Sequence, residues 1–197
     1  MRRWLPLLPN IISSIRILLA VPIALTLARH QFASTLWLFA VAAASDAVDG
    51  WLAKRFGWQS DLGGLLDPIA DKLMLATVFV MLTLLGNLPV WLTATVVARD
   101  CVIVSGAICY RILLGPVTAR PSMVSKLNTL CQILFILDII AAQQFSWPRA
   151  WGVALGALVF VTVSVSGIDY VVVYARQAAE EFRSRRSSVR ARGSRPA

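Results

Sequence analysis

The sequence is poor in the residues that bind transition metals or form disulfides. In 197 residues it has one histidine, His30, and three cysteines, Cys101, Cys109 and Cys131, none in a CxxC spacing. This composition argues against a zinc site. We expect the cysteines to be small core residues.

Charge is also scarce. Only 15% of the residues are charged and 58% are hydrophobic, with a mean hydropathy of +0.72, which is unlike an ordinary soluble domain. A spanning helix and its turn use about 25 to 30 residues, so six helices leave no room for a soluble catalytic domain. We therefore predict an all-α, polytopic integral membrane protein, with a catalytic domain of six transmembrane helices at residues 1–176 and a basic tail at 177–197.

Long apolar runs separated by short polar or proline-containing connections predict where the six helices lie. Helix 1 contains Pro22, which kinks a helix or loosens its backbone bonding. The predicted limits are about Asn10–Ala28, Ala33–Phe56, from Gly63 or Pro68 to Leu85, Val90–Leu114, Met123–Gln143 and Trp151–Tyr174.

The basic residues predict an orientation. Seven arginines follow Tyr174. We predict that this segment is either a disordered tail or a helix lying on anionic lipid. Alternatively, its arginines only determine how the protein is oriented in the membrane. By the positive-inside rule, both termini and the acidic motif face the cytoplasm, as in a bacterial inner membrane. We expect no nucleic-acid binding, because no aromatic platform accompanies the tail.

Four aspartates stand at helical spacing beside these apolar runs. Asp46 and Asp49 are three residues apart and Asp67 and Asp71 are four apart, so each pair projects from one helix face. Each charge would cost roughly 3 kcal/mol at a membrane helix centre, so bound cations, a water-filled cavity or a shallow position in the membrane must offset that cost. Oxygen ligands favour Mg²⁺ or Mn²⁺, and four carboxylates can hold two such ions, which suits the clamping of a diphosphate.

Other residues near these aspartates have two interpretations each. Small residues at Gly50, Ala53 and Gly63 either admit a bulky polar ligand or let helices pack closely. The embedded cations Arg99 and Lys126 are candidates for binding the phosphate of an anionic acceptor. Alternatively, Arg99 pairs with an aspartate of the motif and Lys126 extends to the interface, while Lys72 is expected to be an ion-pair partner or an interface anchor.

The pattern as a whole resembles the signature of the CDP-alcohol phosphotransferase family. It reads Asp46-x-x-Asp49-Gly50-x-x-Ala53-Lys54, eight residues, then Gly63-x-x-x-Asp67-x-x-x-Asp71. The family usually has arginine at the position of Lys54; lysine keeps the positive charge but lacks the planar fork that binds phosphate in a bidentate way. The resemblance extends to the first helix through Pro9-Asn10-x-x-Ser13-x-x-Arg16, five residues, Pro22.

The resemblance implies a six-helix membrane enzyme, commonly dimeric, that transfers a substituted phosphate from a CDP-linked donor to an alcohol and releases CMP. It implies that Asp71 deprotonates the acceptor hydroxyl. It also implies two divalent ions, Mg²⁺ or Mn²⁺, on Asp46, Asp49, Asp67 and Asp71, and a CDP site formed by Asp46, Asp49, Gly50, Ala53, Lys54 and Gly63.

Within the family, Arg99-Asp100 and the segment from Pro121 to Thr129 look most like the eukaryotic-type cardiolipin synthases, which move phosphatidyl from CDP-diacylglycerol to phosphatidylglycerol. The alternative acceptor is glycerol 3-phosphate, as in phosphatidylglycerophosphate synthases. Two other classes remain open: a divalent-cation transporter, which would need aspartates at mid-depth, and a lipid-binding scaffold, which would need none.

Overall fold

The computed structural model describes residues 8–56, 63–113, 123–145 and 148–193. Throughout these ranges the regular structure is α-helical, which confirms the prediction of an all-α chain with six helices. The helices are α1 (Leu8–Ala28), α2 (Phe32–Phe56), α3 (Gly63–Leu84), α4 (Val90–Leu113), α5 (Met123–Phe145) and α6 (Arg149–Gly193).

The main departure from the predicted limits is the length of α6. This helix was expected to end near Tyr174, but it continues to Gly193 and has 45 residues. The apolar pattern ends near Tyr174, whereas the alanine, glutamate and arginine residues that follow are strong helix formers that allow the helix to continue. Of the two forms considered for the tail, the structure therefore describes a helix, while the domain boundary at 176/177 stays a prediction.

A backbone turn in the left-handed region ends α1. His30 has a φ of 55°, its N–H donates to the Leu27 carbonyl at 2.9 Å, and the next N–H, of Gln31, donates to the Thr26 carbonyl at 2.9 Å. This is the Schellman arrangement, which satisfies the last carbonyls of a helix. The Thr35 hydroxyl then donates to the Thr26 hydroxyl at 2.8 Å, so α2 is tied back to α1.

The same arrangement ends α3. Gly86 has a φ of 75° and its N–H donates to the Thr83 carbonyl, while Asn87 donates to the Leu82 carbonyl, both at 2.9 Å. The hydroxyls of Thr83 and Thr93 lie 2.6 Å apart and tie α4 to α3. A tight turn therefore connects α3 to α4.

The core lies where α1 packs on α2 and α3, and where α5 packs on α2 and α6. The rings of Phe79 and Phe135 have centroids 6.1 Å apart and join α3 to α5. Cys131 is buried as expected, but Cys101 is exposed, so the core prediction is wrong for that cysteine. Large side chains with no exposed surface in this core are Ile23, Leu27, Phe39, Val78, Phe79, Leu82, Ile136, Ile140 and Val159.

The outward faces of the described helices are also apolar. Leu18, Trp37, Leu84 and Val153 are each more than two-thirds exposed, whereas soluble monomers rarely expose large contiguous apolar surfaces. In the described ranges, Met123–Phe145 and Ala150–Val173 are long and apolar enough to cross a membrane. Two shorter apolar helical segments are Ile17–Ala28 and Phe32–Ser45.

Candidate active site

The aspartate motif lies on two helices at one end of the bundle. Its first part, from Asp46 to Lys54, belongs to the last turns of α2, and its second part, from Gly63 to Asp71, opens α3. The six residues 57–62 between the helices lie outside the described residues. Since a chain extends at most about 3.3 to 3.6 Å per residue, this short connection keeps the two parts of the motif at the same end.

The helical backbone gives the aspartates the spacing that their sequence positions predict. Asp46 and Asp49 are separated by about 4.5 Å along the axis of α2, and Asp67 and Asp71 by about 6 Å along α3, from a rise of 1.5 Å per residue. Each pair therefore shares a helix face. The side chains of residues 46–70 lie outside the described part of the chain, including the CDP-site candidates Gly50, Ala53, Lys54 and Gly63.

Asp71 is the one motif aspartate whose side chain the structure describes, and it is half-buried. The described side chains contain no cluster of three or more histidine, cysteine, aspartate or glutamate residues that could hold a metal, but three of the four motif aspartates lie outside that set. The donor set itself is four carboxylates on two helices, an all-oxygen set that fits Mg²⁺ or Mn²⁺. Asp46, Asp49, Asp67 and Asp71 would hold the ions.

The residue after Asp71 begins a cluster of charged and polar side chains, which we call the Asp100 cluster: Lys72, Arg99, Asp100, Ser125 and Ser166. Lys72 Nζ donates to Asp100 Oδ1 at 2.5 Å, and Arg99 Nη1 donates to the same oxygen at 2.6 Å. The Lys72 and Asp100 side chains are 26% and 13% exposed, so the shared carboxylate bridges α3 and α4 in a largely dry environment. The ion-pair expectation for Lys72 is confirmed.

Arg99 connects this bridge to the remaining helices. Its Nη2 donates to the Ser125 hydroxyl of α5 at 3.1 Å and to the Ser166 hydroxyl of α6. The guanidinium also lies 5.8 Å from the ring centre of Tyr170, within cation–π range. Arg99 is 5% exposed, and its internal pairing is with Asp100, next to it in the chain.

Lys126 follows Ser125 directly in the first turn of α5, and it is exposed. Because Ser125 bonds to Arg99, the structure brings the backbone of Lys126 into the neighbourhood of Arg99. The two candidate acceptor-binding cations therefore lie at the same part of the bundle. Arg99 Nε is buried and has no hydrogen-bond partner among the described residues.

Sequence reasoning did not assign a site role to Asp100, Ser166 or the buried amides of α5. Asn128 Oδ1 accepts a hydrogen bond from the Thr162 hydroxyl at 3.0 Å. Its Nδ2, like Nε2 of Gln132, is buried without a partner in the described ranges. Two sequence features could have indicated these roles: an acid directly after an arginine in an apolar helix, and polar residues four apart in α5 and α6.

A cavity of about 840 Å³ lies at the opposite end of the bundle, between the α3–α4 turn, the end of α5 and the start of α6. Its lining is mostly apolar, and Asp138 is the one charged residue among the described residues that line it. The Gln143 side chain donates to the Asn87 side chain at 2.7 Å at its rim. This cavity is remote from the aspartate motif, since the motif lies where α2 ends and α3 begins.

The family model for CDP-alcohol phosphatidyltransferase matches residues 6–167. The chain belongs to this family. The family that the aspartate motif resembles is thereby confirmed, and one of the relatives is named as a phosphatidyltransferase.

Curated relatives have two kinds of name. A human "Cardiolipin synthase (CMP-forming)" is 33% identical over 156 residues, covering 71% of this chain and 52% of the human protein. A "Probable phosphatidylglycerophosphate synthase" of Mycobacterium tuberculosis is 30% identical, covering 83% of this chain and 79% of that protein. A Bacillus subtilis "CDP-diacylglycerol--glycerol-3-phosphate 3-phosphatidyltransferase" is 31% identical, covering 68% and 69%. The chain spans about half the length of the human relative.

Proposed function

We propose that this protein is a membrane phosphatidyltransferase that moves the phosphatidyl group of CDP-diacylglycerol to phosphatidylglycerol and releases CMP, which is cardiolipin synthesis. The observation that carries the proposal is the family motif placed on two adjoining helix ends, Asp46 to Lys54 on α2 and Gly63 to Asp71 on α3. The match to a human cardiolipin synthase supports the choice of acceptor.

The transfer follows from the chemistry of the motif residues. The Asp71 carboxylate accepts the proton of the acceptor hydroxyl. The hydroxyl oxygen then bonds to the phosphorus that carries the lipid, and the bond from that phosphorus to the CMP oxygen breaks. When bound to the four motif aspartates, two divalent ions, Mg²⁺ or Mn²⁺, neutralise the donor's diphosphate and make CMP a better leaving group.

The other motif residues bind and orient the donor. We propose that Lys54 contacts the diphosphate and that the small residues Gly50, Ala53 and Gly63 let the nucleotide approach the helix backbones. Asp46 and Asp49 complete this CDP site. The arrangement leaves the lipid chains beside the apolar outward faces of the helices.

The acceptor is assigned to the neighbourhood of Arg99 and Lys126. Lys126 is exposed and free to meet an anionic headgroup, whereas two nitrogens of Arg99 are already bonded to Asp100, Ser125 and Ser166. Lys126 is therefore the direct phosphate ligand of the proposal, and Arg99 adds positive charge and its remaining Nε–H. Such charge-assisted bonds favour a phosphate or phosphodiester acceptor.

Glycerol 3-phosphate is the second candidate acceptor. It is favoured by the relatives named as phosphatidylglycerophosphate synthases, since this chain covers 79% of the one from Mycobacterium tuberculosis. Both acceptors present a phosphate and a free hydroxyl, so the same cations suit either. The two acceptors differ in size, because the site must also accommodate the two acyl chains of phosphatidylglycerol.

We further propose that the enzyme works as a homodimer, as its resemblance to the family implies. We also propose that all six helices cross the membrane, with both termini and the aspartate motif on the cytoplasmic side. Support for this membrane arrangement comes from the two long apolar helices and two shorter apolar segments, and from the exposed apolar side chains of the outward faces. Helices α2 and α3 carry their charges toward one end, where lysine and arginine residues flank them. Cysteine-labelling accessibility at residues 57–62 would test the orientation.

The deciding experiment is an acceptor panel with purified protein in lipid nanodiscs. CDP-diacylglycerol and Mn²⁺ or Mg²⁺ are supplied with phosphatidylglycerol, glycerol 3-phosphate, serine or inositol, and both CMP and the lipid product are measured. Cardiolipin formed with phosphatidylglycerol is the expected result. Phosphatidylglycerol phosphate as the main product would assign the second acceptor, and no CMP with any alcohol would overturn the enzyme proposal in favour of ion transport or a scaffold.

A further inference from the structure

One carboxylate oxygen of the Asp100 cluster holds two cations. Asp100 Oδ1 accepts from Lys72 at 2.5 Å and from Arg99 at 2.6 Å, and the Arg99 side chain is 4% exposed. With so little solvent, the attraction between these charges is stronger than in water. Removing the shared acid would leave the buried Arg99 and the partly buried Lys72 without their counterion.

The position of Lys72 gives this contact a consequence for the aspartate motif. Lys72 follows Asp71 in α3, and successive side chains of an α-helix point about 100° apart because a turn takes 3.6 residues. When the Lys72 ammonium is held against α4, it restricts the rotation of α3 about its own axis, in addition to the core packing of that helix. That rotation sets the direction in which Asp67 and Asp71 project, since both are on the same helix.

The far side of the contact is rigid enough to act as an anchor. Asp100 is bonded to Arg99, which in turn is bonded to Ser125 on α5 and Ser166 on α6. A Cβ added at Gly167 would lie 3.5 Å from Arg99 Cγ, so α6 packs directly on the arginine stem. Contacts among α4, α5 and α6 therefore hold Asp100 in place independently of its bond to Lys72.

We propose that Asp100 is a positioning residue for the aspartate motif. By holding Lys72 against α4, it fixes the direction of Asp67 and Asp71 and keeps the ammonium from competing with divalent cations for those carboxylates. The proposal rests on the proposed function, because it takes the motif as the metal-binding site. Asp100 is then a residue outside the motif that sets the affinity of the motif for divalent cations without contacting the substrates.

The test measures Mn²⁺ binding to the full-length protein in detergent by electron paramagnetic resonance, together with CMP release. Asp100→Asn keeps the shape of the side chain and removes its charge, so the released Lys72 should weaken Mn²⁺ binding about tenfold. Asp100→Glu keeps the charge and should stay within about threefold of wild type. The matched control is Asp138→Asn, the same charge change on α5 at the opposite end of the bundle, and it should leave Mn²⁺ binding unchanged.

A second-site variant separates this role from general stabilisation. If Lys72 competes for the motif once Asp100 is neutral, then Lys72→Met combined with Asp100→Asn should recover most of the lost Mn²⁺ affinity. Failure of the double variant to recover, equal Mn²⁺ affinity of Asp100→Asn and wild type, or misfolding of both variants in a thermal unfolding scan would overturn the positioning role. Absence of Mn²⁺ binding or CMP release in the wild type would instead overturn the proposed function.

Discussion

Arg99 of α4 donates a hydrogen bond to Ser166 of α6, which is 67 positions away in the chain. The same guanidinium nitrogen donates to Ser125 of α5, and the other terminal nitrogen donates to Asp100. A single buried side chain therefore joins the last three helices. This arrangement makes Arg99 a stability determinant as well as a candidate acceptor ligand, and the two roles can be measured separately.

Arg99→Lys keeps the charge but replaces a planar fork with a single donor nitrogen. We expect it to lose at least one of the contacts to Ser125 and Ser166 and to lower the thermal unfolding midpoint measurably. Arg99→Ala breaks a buried ion pair and should cost about 3 to 5 kcal/mol. Unfolding scans in detergent check both, with the exposed Arg29→Ala as a control that should leave the midpoint unchanged.

Asp67→Asn and Asp71→Asn should each remove nearly all CMP release while the protein stays folded. The amide cannot bind a divalent cation as the carboxylate does, and at position 71 it cannot accept the proton of the acceptor hydroxyl. Turnover of each variant is compared with Asp138→Asn, which makes the same change far from the motif and should keep near wild-type activity. Substantial turnover in either motif variant contradicts the assignment.

Lys54→Ala should raise the KM for CDP-diacylglycerol more than it lowers kcat. The reason is that Lys54 is assigned to holding the diphosphate of the donor rather than to the bond-making step. Initial rates over a range of donor concentrations give both constants. Arg55→Ala is the natural comparison, and an unchanged KM for Lys54→Ala with a raised KM for Arg55→Ala would move the contact by one residue.

Gly156 should tolerate only a small increase in size. A Cβ placed there would lie 3.3 Å from Cε2 of the Phe135 ring, so α6 packs tightly on α5 at this position. Gly156→Val should destabilise the protein by about 1 to 3 kcal/mol through overpacking. Its neighbour Ala157 is exposed, so Ala157→Val should have little effect on the unfolding midpoint, and a loss for Gly156→Val no larger than that for Ala157→Val would contradict overpacking.

His30 should accept glycine or asparagine but not a β-branched residue. Its φ of 55° lies in the left-handed region, which costs an L-residue roughly 1 to 2 kcal/mol and is worst for branched side chains. His30→Val should therefore lower the unfolding midpoint, whereas His30→Asn should preserve it. The two variants compared in one scan control for loss of the imidazole, since both lack it.

The sequence was sufficient to predict the six helices and the place of the aspartate motif on them. Apolar runs bounded by Gly86, Pro89 and Pro148 carry that information locally, and the spacing of Asp46, Asp49, Asp67 and Asp71 is itself a helical property. The end of α6 was missed because an apolar pattern reports burial rather than helix propensity. Once the apolar pattern stops, only propensity distinguishes a helix from a disordered segment.

The partners of Arg99 and Lys72 could not be found from the sequence alone. Each had several acids or phosphate ligands as candidate partners, and the choice depends on how α3, α4 and α6 are rotated against one another. That rotation is a result of packing across the whole bundle, to which residues such as Gly167 and Phe135 contribute through their size. Asp100 was therefore visible as a charge in an apolar helix, but its bond to Lys72 was not.

The continuous α6 helix also has a mechanical consequence. At 1.5 Å per residue, its 45 residues extend about 68 Å, more than twice the thickness of a bilayer core. If α6 crosses the membrane, its arginine-bearing end either stands off the surface or bends at the interface. A force applied at that end, for example by a bound lipid, would then be transmitted along the continuous helix to the turn of α6 that carries Ser166.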